Sequence, residues 1–277
     1  MQSFNHSKSR DLGDILTDTF QYIRIYYKTL GKGLLYFVLP LYLIQAFLLQ
    51  GYTDQLFANM FQPDNFSAFE ILFSPRYLAS ISLSIVAYAM LTIVSLKHLY
   101  LTNTVNETET GSLIQDSLPM LLKLGALYIS LFVIIMFSAL FFFFPAIFFG
   151  IRLSLAPAAL VLENRDVGES ISRSWELTQG FWWATFALFF IMYIIVFFCS
   201  YAFILPATIL SIFFVDTGTI TDAGLFSTII TTFMTLSTAI ASLFIVILHI
   251  SFGLQFYNIV ERKEGEGLRS KIEGLID

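Results

Sequence analysis

Between Lys123 and Glu163 the chain carries a single charged residue, Arg152, in "KLGALYISLFVIIMFSALFFFFPAIFFGIRLSLAPAALVLE". A helix that crosses about 30 Å of hydrocarbon at 1.5 Å per residue needs only about 20 apolar residues. The run is too apolar for a water-soluble surface and too long for one crossing. It reads either as one long bent helix or as two spans joined by a tight turn at Pro145–Gly150. Runs of similar character recur, and they place spans at 34–50, 78–100, 120–143, 146–163, 182–204 and 225–250. The composition agrees: 13% of residues are charged and 57% hydrophobic, whereas a soluble domain has about a quarter charged. The expected fold is an all-α, polytopic membrane helix bundle of about six spans. Residues 1–33 form an amphipathic cytoplasmic segment, 34–260 the membrane domain and 261–277 a charged cytoplasmic tail.

Charge decides the count of spans. With a hairpin inside 120–163, Lys8, Arg10, Arg24, Lys28, Lys32, Lys97, Lys123, Arg165, Arg173, Arg262, Lys263, Arg269 and Lys271 share one side, thirteen of the fifteen basic residues. Only Arg76 lies clearly on the other, and Arg152 is near or within the membrane. Basic loops stay cytoplasmic, so the chain is expected in the cytoplasmic (inner) membrane with both termini on the cytoplasmic side. A single pass would carry Arg165 and Arg173 outside. No signal peptide is read at the N-terminus, and the lone Cys199 has no internal disulfide partner.

Two amphipathic helices are expected along the cytoplasmic face. Asp166 and Glu169 have capping-box spacing. Beyond them Val167, Ile171, Ser174, Trp175 and Thr178 form one face, with Glu169, Arg173, Glu176 and Gln179 turned away, and Gly180 ends the helix. Trp182 and Trp183 follow; with Trp175 they are the candidate interfacial anchors, because indole rings favour the membrane–water boundary. Before the first span, Leu12, Ile15, Leu16, Thr19, Phe20, Ile23, Tyr27 and Leu30 make a second stripe. Aligning Leu16 with Val167 and Phe20 with Ile171 superposes the two segments loosely, as an internal duplication does and as any two amphipathic helices do. The loop after the first span is rich in phenylalanine, at 57, 61, 66, 69 and 73. Acceptor triplets for glycosylation begin at Asn65 and Asn106.

The candidate chemistry is sparse. Arg24, Lys28, Lys97, Lys123, Arg152 and Arg173 are the candidate contacts for anionic lipid. For Arg152 the plain reading is a guanidinium snorkelling to phosphate, and the sharper one a buried cation binding an anionic lipid or pairing with Glu163 or Asp216. Thr228, Thr231, Thr235, Thr238, Ser242 and His249 recur at helical spacing as a polar stripe in the last span, expected as a packing seam rather than a transport path. His98 and His249 fall at the cytoplasmic span ends, where a lone imidazole is ordinarily solvated; the alternative is a shared anion or proton site. Three histidines without carboxylates at ligand spacing make no metal centre, and neither a phosphate loop nor a nucleophile elbow is present. No cofactor and no catalytic residue is nominated.

The succession "RLSLAPAALVLE", "VGESISRSWELTQG" and "FWW", with "DILTDTFQYIRIYYKTL" before the first span, resembles the membrane domain of glycerophosphoryl diester phosphodiesterases and of related stand-alone bacterial six-span proteins. Arg152, Pro157, Glu163, Ser174, Trp175 and Gly180 stand at its recurrent positions. In those enzymes a soluble barrel performs the chemistry, and this sequence holds no such barrel. The resemblance implies a membrane module without the enzymatic part. The expected function is lipid-associated binding, scaffolding or regulation. The expected partners are membrane lipids, the anionic ones favoured by the cations, and either another membrane protein or a second copy of the chain, with no nucleic acid. A small transporter or flippase, and an intramembrane lipid-modifying enzyme, are the rivals.

Overall fold

The computed structural model describes residues 8–60, 73–104, 110–113, 117–216 and 223–265, with the backbone alone at 50–60, 110, 112, 211–216 and 223–228. Among the described residues every regular element is helical. They are α1 (Leu12–Gly33), a π-helical turn (Leu34–Val38), α2 (Leu39–Met60), α3 (Pro75–Thr104), a 3₁₀ turn (Thr110–Leu113), α4 (Ser117–Phe141), α5 (Phe143–Leu153), α6 (Ala156–Leu162), α7 (Val167–Thr178), α8 (Trp182–Asp216), α9 (Ala223–Ser242) and α10 (Ile245–Glu264). Among the described residues six stretches are long and apolar enough to cross a membrane: Leu12–Leu49, Pro75–Thr104, Ser117–Phe141, Phe143–Leu162, Trp182–Leu210 and Ile229–Glu264. The chain is an all-α, multi-pass membrane bundle.

The 120–163 region is not one continuous helix, and the first break in it comes earlier than Pro145–Gly150. Helicity breaks at Phe142, whose φ of −170° and ψ of 160° are extended. Pro145 then falls in the first turn of α5, where its missing N–H is one that no intrahelical carbonyl would have received. Phe141, Phe142, Phe143 and Phe144 are all exposed at the apex, as lipid-facing side chains are. The second break, at Ser154–Leu155, is satisfied from outside the helix: Leu155 N–H donates to Ser174 Oγ at 3.2 Å, and Ser174 Oγ donates to the Arg152 carbonyl at 2.8 Å.

The N-terminal amphipathic segment is helical as expected, but no loop separates it from the first span. The helix kinks at Tyr26 (φ −105°, ψ 15°) and continues through the π-helical turn into α2, which reaches Met60. The segment before α8 differs: α7 stops at Thr178 and Gly180 takes a φ of 85°, the left-handed conformation that glycine adopts without steric cost. The resemblance between the two segments is thus one of pattern, not of connection. Asn65, Asn106 and the phenylalanines at 61, 66 and 69 lie outside the described residues, as does the side chain of Phe57. The tail is helical to Glu264, and 266–277 is likewise outside the described residues.

The chain packs as two units, one of residues 1–33, 89–195 and 245–277, the other of 34–88 and 196–244. In the second, α2 packs on α9, and the α8 residue Ser200 donates through Oγ to the Ala241 carbonyl at 3.2 Å. Buried Ala46, Ala207, Ala239 and Ala241 keep the helix faces small enough for close approach. In the first unit α4 and α5 form the hairpin, α7 folds back on α5 and α6, and α1 packs on α10. Gly253 marks the tightest crossing there. A Cβ on it would stand 2.5 Å from Leu99 Cδ2 and 3.0 Å from Leu96 Cδ2.

Candidate functional site

Polar side chains inside the first unit gather into clusters. One is a clasp between the N-terminal segment and the last helix. The Arg10 backbone N–H donates to Asn258 Oδ1 at 2.7 Å, and its buried guanidinium donates through Nε to Asp18 Oδ2 at 2.7 Å. Lys8 adds a second cation 3.0 Å from the same carboxylate. Arg262 donates through Nη2 to the Arg10 carbonyl at 2.6 Å and through Nε to Asn258 at 3.2 Å. Asn258 continues to Gln255, and Gln255 to Thr185 on α8. A cleft of about 150 Å³ opens beside Arg10, Asn258, Arg262 and Phe181. Among the described residues no buried side-chain nitrogen or oxygen of the clasp lacks a partner, which is what burial of charge requires.

A second cluster centres on His98, which is fully buried. Its Nδ1 lies 2.6 Å from Tyr22 Oη and its Nε2 2.9 Å from Thr29 Oγ1, while Tyr22 Oη lies 3.0 Å from Thr102 Oγ1. His249, also buried, stands in a different network, with Nε2 3.4 Å from Thr92 Oγ1, which is itself 2.6 Å from Tyr128 Oη. Solvated histidines were the expectation, and the structure corrects it. The imidazoles replace water with hydroxyls, each within its own network.

The third cluster surrounds α7. Its capping box forms, with Asp166 N–H donating to Glu169 Oε2 at 3.4 Å, and its buried side joins Ser174 and Thr178 of the nominated stripe to Arg173, which was expected to turn away. Ser170, Arg173, Ser174, Leu177 and Thr178 are buried, whereas Trp175 is 39% exposed. The serines are small enough to admit a neighbouring backbone, and Arg173 is drawn in by carboxylates: Glu264 at 2.7 Å, Glu163 at 3.0 Å and Glu176 at 3.7 Å. The hydrogen bond to Glu264, and then that to Glu163, raise the guanidinium pKa above its ordinary value. α1 shows the same effect. Ile15, Asp18, Thr19, Tyr22 and Leu30 are buried while Phe20 and Tyr27 are 43% and 59% exposed, because Arg10 and His98 recruit the polar side of the helix.

The sequence-nominated cations therefore separate. Arg173 is spent on acids, Lys123 pairs with Asp166 at 2.6 Å, and Lys97 is half-buried. Arg24 and Lys28 are exposed and make no ion pair among the described residues. Arg152 pairs with neither Glu163, which is taken by Arg165 and Arg173, nor any other described carboxylate. Its Nη1 donates to the Trp175 carbonyl at 3.2 Å, and its guanidinium lies over the Trp175 and Phe148 rings at 4.9 and 5.4 Å. The side chain of Asp216 is outside the described residues.

Of the nominated anchors, Trp183 is 76% exposed. Trp182 stacks on Phe186 at 5.4 Å and Phe148 at 6.0 Å. The polar stripe does not form one surface. Thr235 is buried and Thr238 exposed, and their hydroxyls, with that of Ser242, bond back to carbonyls of α9. Thr231 is half-buried, and the side chain of Thr228 is outside the described residues. The turn at Leu243–Phe244 breaks the register before His249.

The clasp was not among the nominated residues. Gln255, Asn258 and Arg262 do recur at i, i+3 and i+7 on the last helix, a readable polar stripe. Arg10 gave no local sign of its partners Asn258 and Arg262 far along the chain. Set against known protein families, curated proteins and solved structures, the chain matches none.

Proposed function

We propose that this protein is a lipid-associated module of the cytoplasmic membrane, with both termini cytoplasmic, that binds, scaffolds or regulates at the headgroup layer. The observation that carries this reading is the outward face of α1. Phe20, Arg24, Tyr27 and Lys28 follow at i, i+4, i+7 and i+8, so they share one side of the helix; all four are exposed, and the Lys28 ammonium lies 5.8 Å from the Tyr27 ring centroid. Cations interleaved with aromatic rings suit the boundary where acyl chains meet anionic headgroups. The likeness to the membrane domain of glycerophosphoryl diester phosphodiesterases supports a membrane module and supplies no catalytic group.

Each cation close to an anionic leaflet contributes about 1 kcal/mol at low salt, less as screening increases. The Arg24→Gln, Lys28→Gln double variant is expected to insert normally and to co-purify with less phosphatidylglycerol relative to zwitterionic lipid, measured by mass spectrometry of the lipid extract. An unchanged ratio in a correctly inserted variant would sink the reading.

A further inference from the structure

Four cations stand on the chain between Ser117 and Thr178, and three are matched to acids: Lys123 to Asp166, Arg165 to Glu163, and Arg173 to Glu163 and Glu264. Arg152 is the fourth, and no described carboxylate lies within ion-pair distance of it. Its planar fork carries five N–H donors. One of these reaches the Trp175 carbonyl. Nη2 has no acceptor among the described residues, and Nε is buried without one. The rings of Trp175 and Phe148 hold the guanidinium in place but leave its hydrogen-bonding capacity largely unused, and an unmet charged donor in apolar surroundings is costly.

What lies beside the cation narrows the kind of anion. Phe148 and Phe144 precede Arg152 by four and eight residues on α5, hence on the same helix face, and they are 39% and 81% exposed. An apolar track therefore runs from the guanidinium towards the hairpin apex. Trp182, stacked on Phe148, and the exposed Trp183 are residues that favour headgroup depth. A cation at headgroup level, with aromatic walls and an exposed apolar track leading away, matches a phosphate joined to an acyl chain.

We propose that Arg152 binds the phosphate of a phospholipid, taking its oxygens on the Nη edge while an acyl chain lies along Phe148 and Phe144. The proposal rests on the lipid-associated reading above and adds to it a defined site on α5 and α7, separate from the exposed cations of α1. Phosphate also exists free in solution, and the apolar track favours the lipid as its source.

The site carries its own probe, since the chain has three tryptophans and Trp175, Trp182 and Trp183 all stand here. The full chain in detergent micelles is titrated with phosphatidylglycerol brominated on its acyl chains, and separately with the matching brominated diacylglycerol, which lacks the phosphate. Quenching of tryptophan fluorescence is read in each case. The phospholipid is expected to quench at a midpoint about tenfold lower, as one charge-assisted contact predicts, and Arg152→Gln should raise that midpoint to the diacylglycerol value. Equal midpoints for the two lipids in the unaltered protein would overturn the proposal, as would a phospholipid preference that survives in Arg152→Gln. The first comparison needs no variant, so it decides even where Arg152→Gln fails to fold, which far-UV circular dichroism reports. Inorganic phosphate against chloride at matched ionic strength identifies the source. Competition with the phospholipid assigns the site to free phosphate as well, whereas a preference that phosphate leaves untouched assigns it to the lipid. Loss of the preference here, with phosphatidylglycerol retention through Arg24 and Lys28 intact, would remove this site and leave the α1 reading standing.

Discussion

Two glycines show how differently one residue type is used along this chain. Gly253 faces α3 so closely that an added methyl group meets buried Leu99 and Leu96 side chains, at 2.5 and 3.0 Å from their Cδ2 atoms. Those leucines are fully packed and have little room to rotate away. Gly150, on α5, has nothing within 4 Å of the same position. Gly253→Ala should destabilise the protein by about 1–3 kcal/mol, the usual cost of overpacking, and lower its melting temperature in detergent. Gly150→Ala should be neutral or stabilising by up to about 1 kcal/mol, since alanine is the better helix former. Similar melting temperatures for the two variants would mean that α10 does not approach α3 as described. Gly180 was legible as a helix stop because its signal is local. The role of Gly253 depends on a neighbour that sequence alone does not bring near.

At the scale of the element, α7 is a clamp for the break between α5 and α6. Ser174 accepts from Leu155 N–H and donates to the Arg152 carbonyl, and Thr178 Oγ1 reaches the same carbonyl at 3.3 Å. One hydroxyl thereby supplies both groups that the interrupted helix leaves unmatched. Ser174→Ala should cost about 1–3 kcal/mol, the penalty for stranding buried backbone groups, whereas Ser172→Ala, at an exposed position of the same helix, should cost little. Equal changes of thermal stability in the two variants would mean that the Ser174 hydroxyl does not clamp the break. The sequence announced α7 clearly, through Asp166, Glu169, Gly180 and the periodicity between them. It did not show that Arg173 would be buried beside Ser174 and Thr178 of the nominated stripe while Trp175 of that stripe stays exposed. Small Ser170 and Ser174 permit close backbone approach, and Arg173 is held by Glu163 and Glu264, contributed from elsewhere in the fold.

For the molecule as a whole, length and hydropathy were enough to find six helical stretches able to cross a membrane among the described residues, since each is dictated by its own residues. What they left open was whether 120–163 crosses once or twice, and the extended residue at Phe142 separates α4 from the α5–α6 stretch. The proposed sidedness rests on charge: thirteen of the fifteen basic residues would fall on one side of a six-span path, and cytoplasmic retention of short basic segments orients such chains. With the native thiol removed by Cys199→Ala, single cysteines at Asn106, Ser172 and Leu268 are expected to resist an impermeant thiol reagent in intact cells and to react once the membrane is opened. A cysteine at Asn65 is expected to react in both. Ser172 is the decisive position, because it is exposed on α7 and lies directly after the α4–α6 region. Reaction of Ser172→Cys from outside, with Asn106→Cys still protected, would mean that α4, α5 and α6 together cross only once, leaving five spans and placing Arg165 and Arg173 on the outer side against the charge rule.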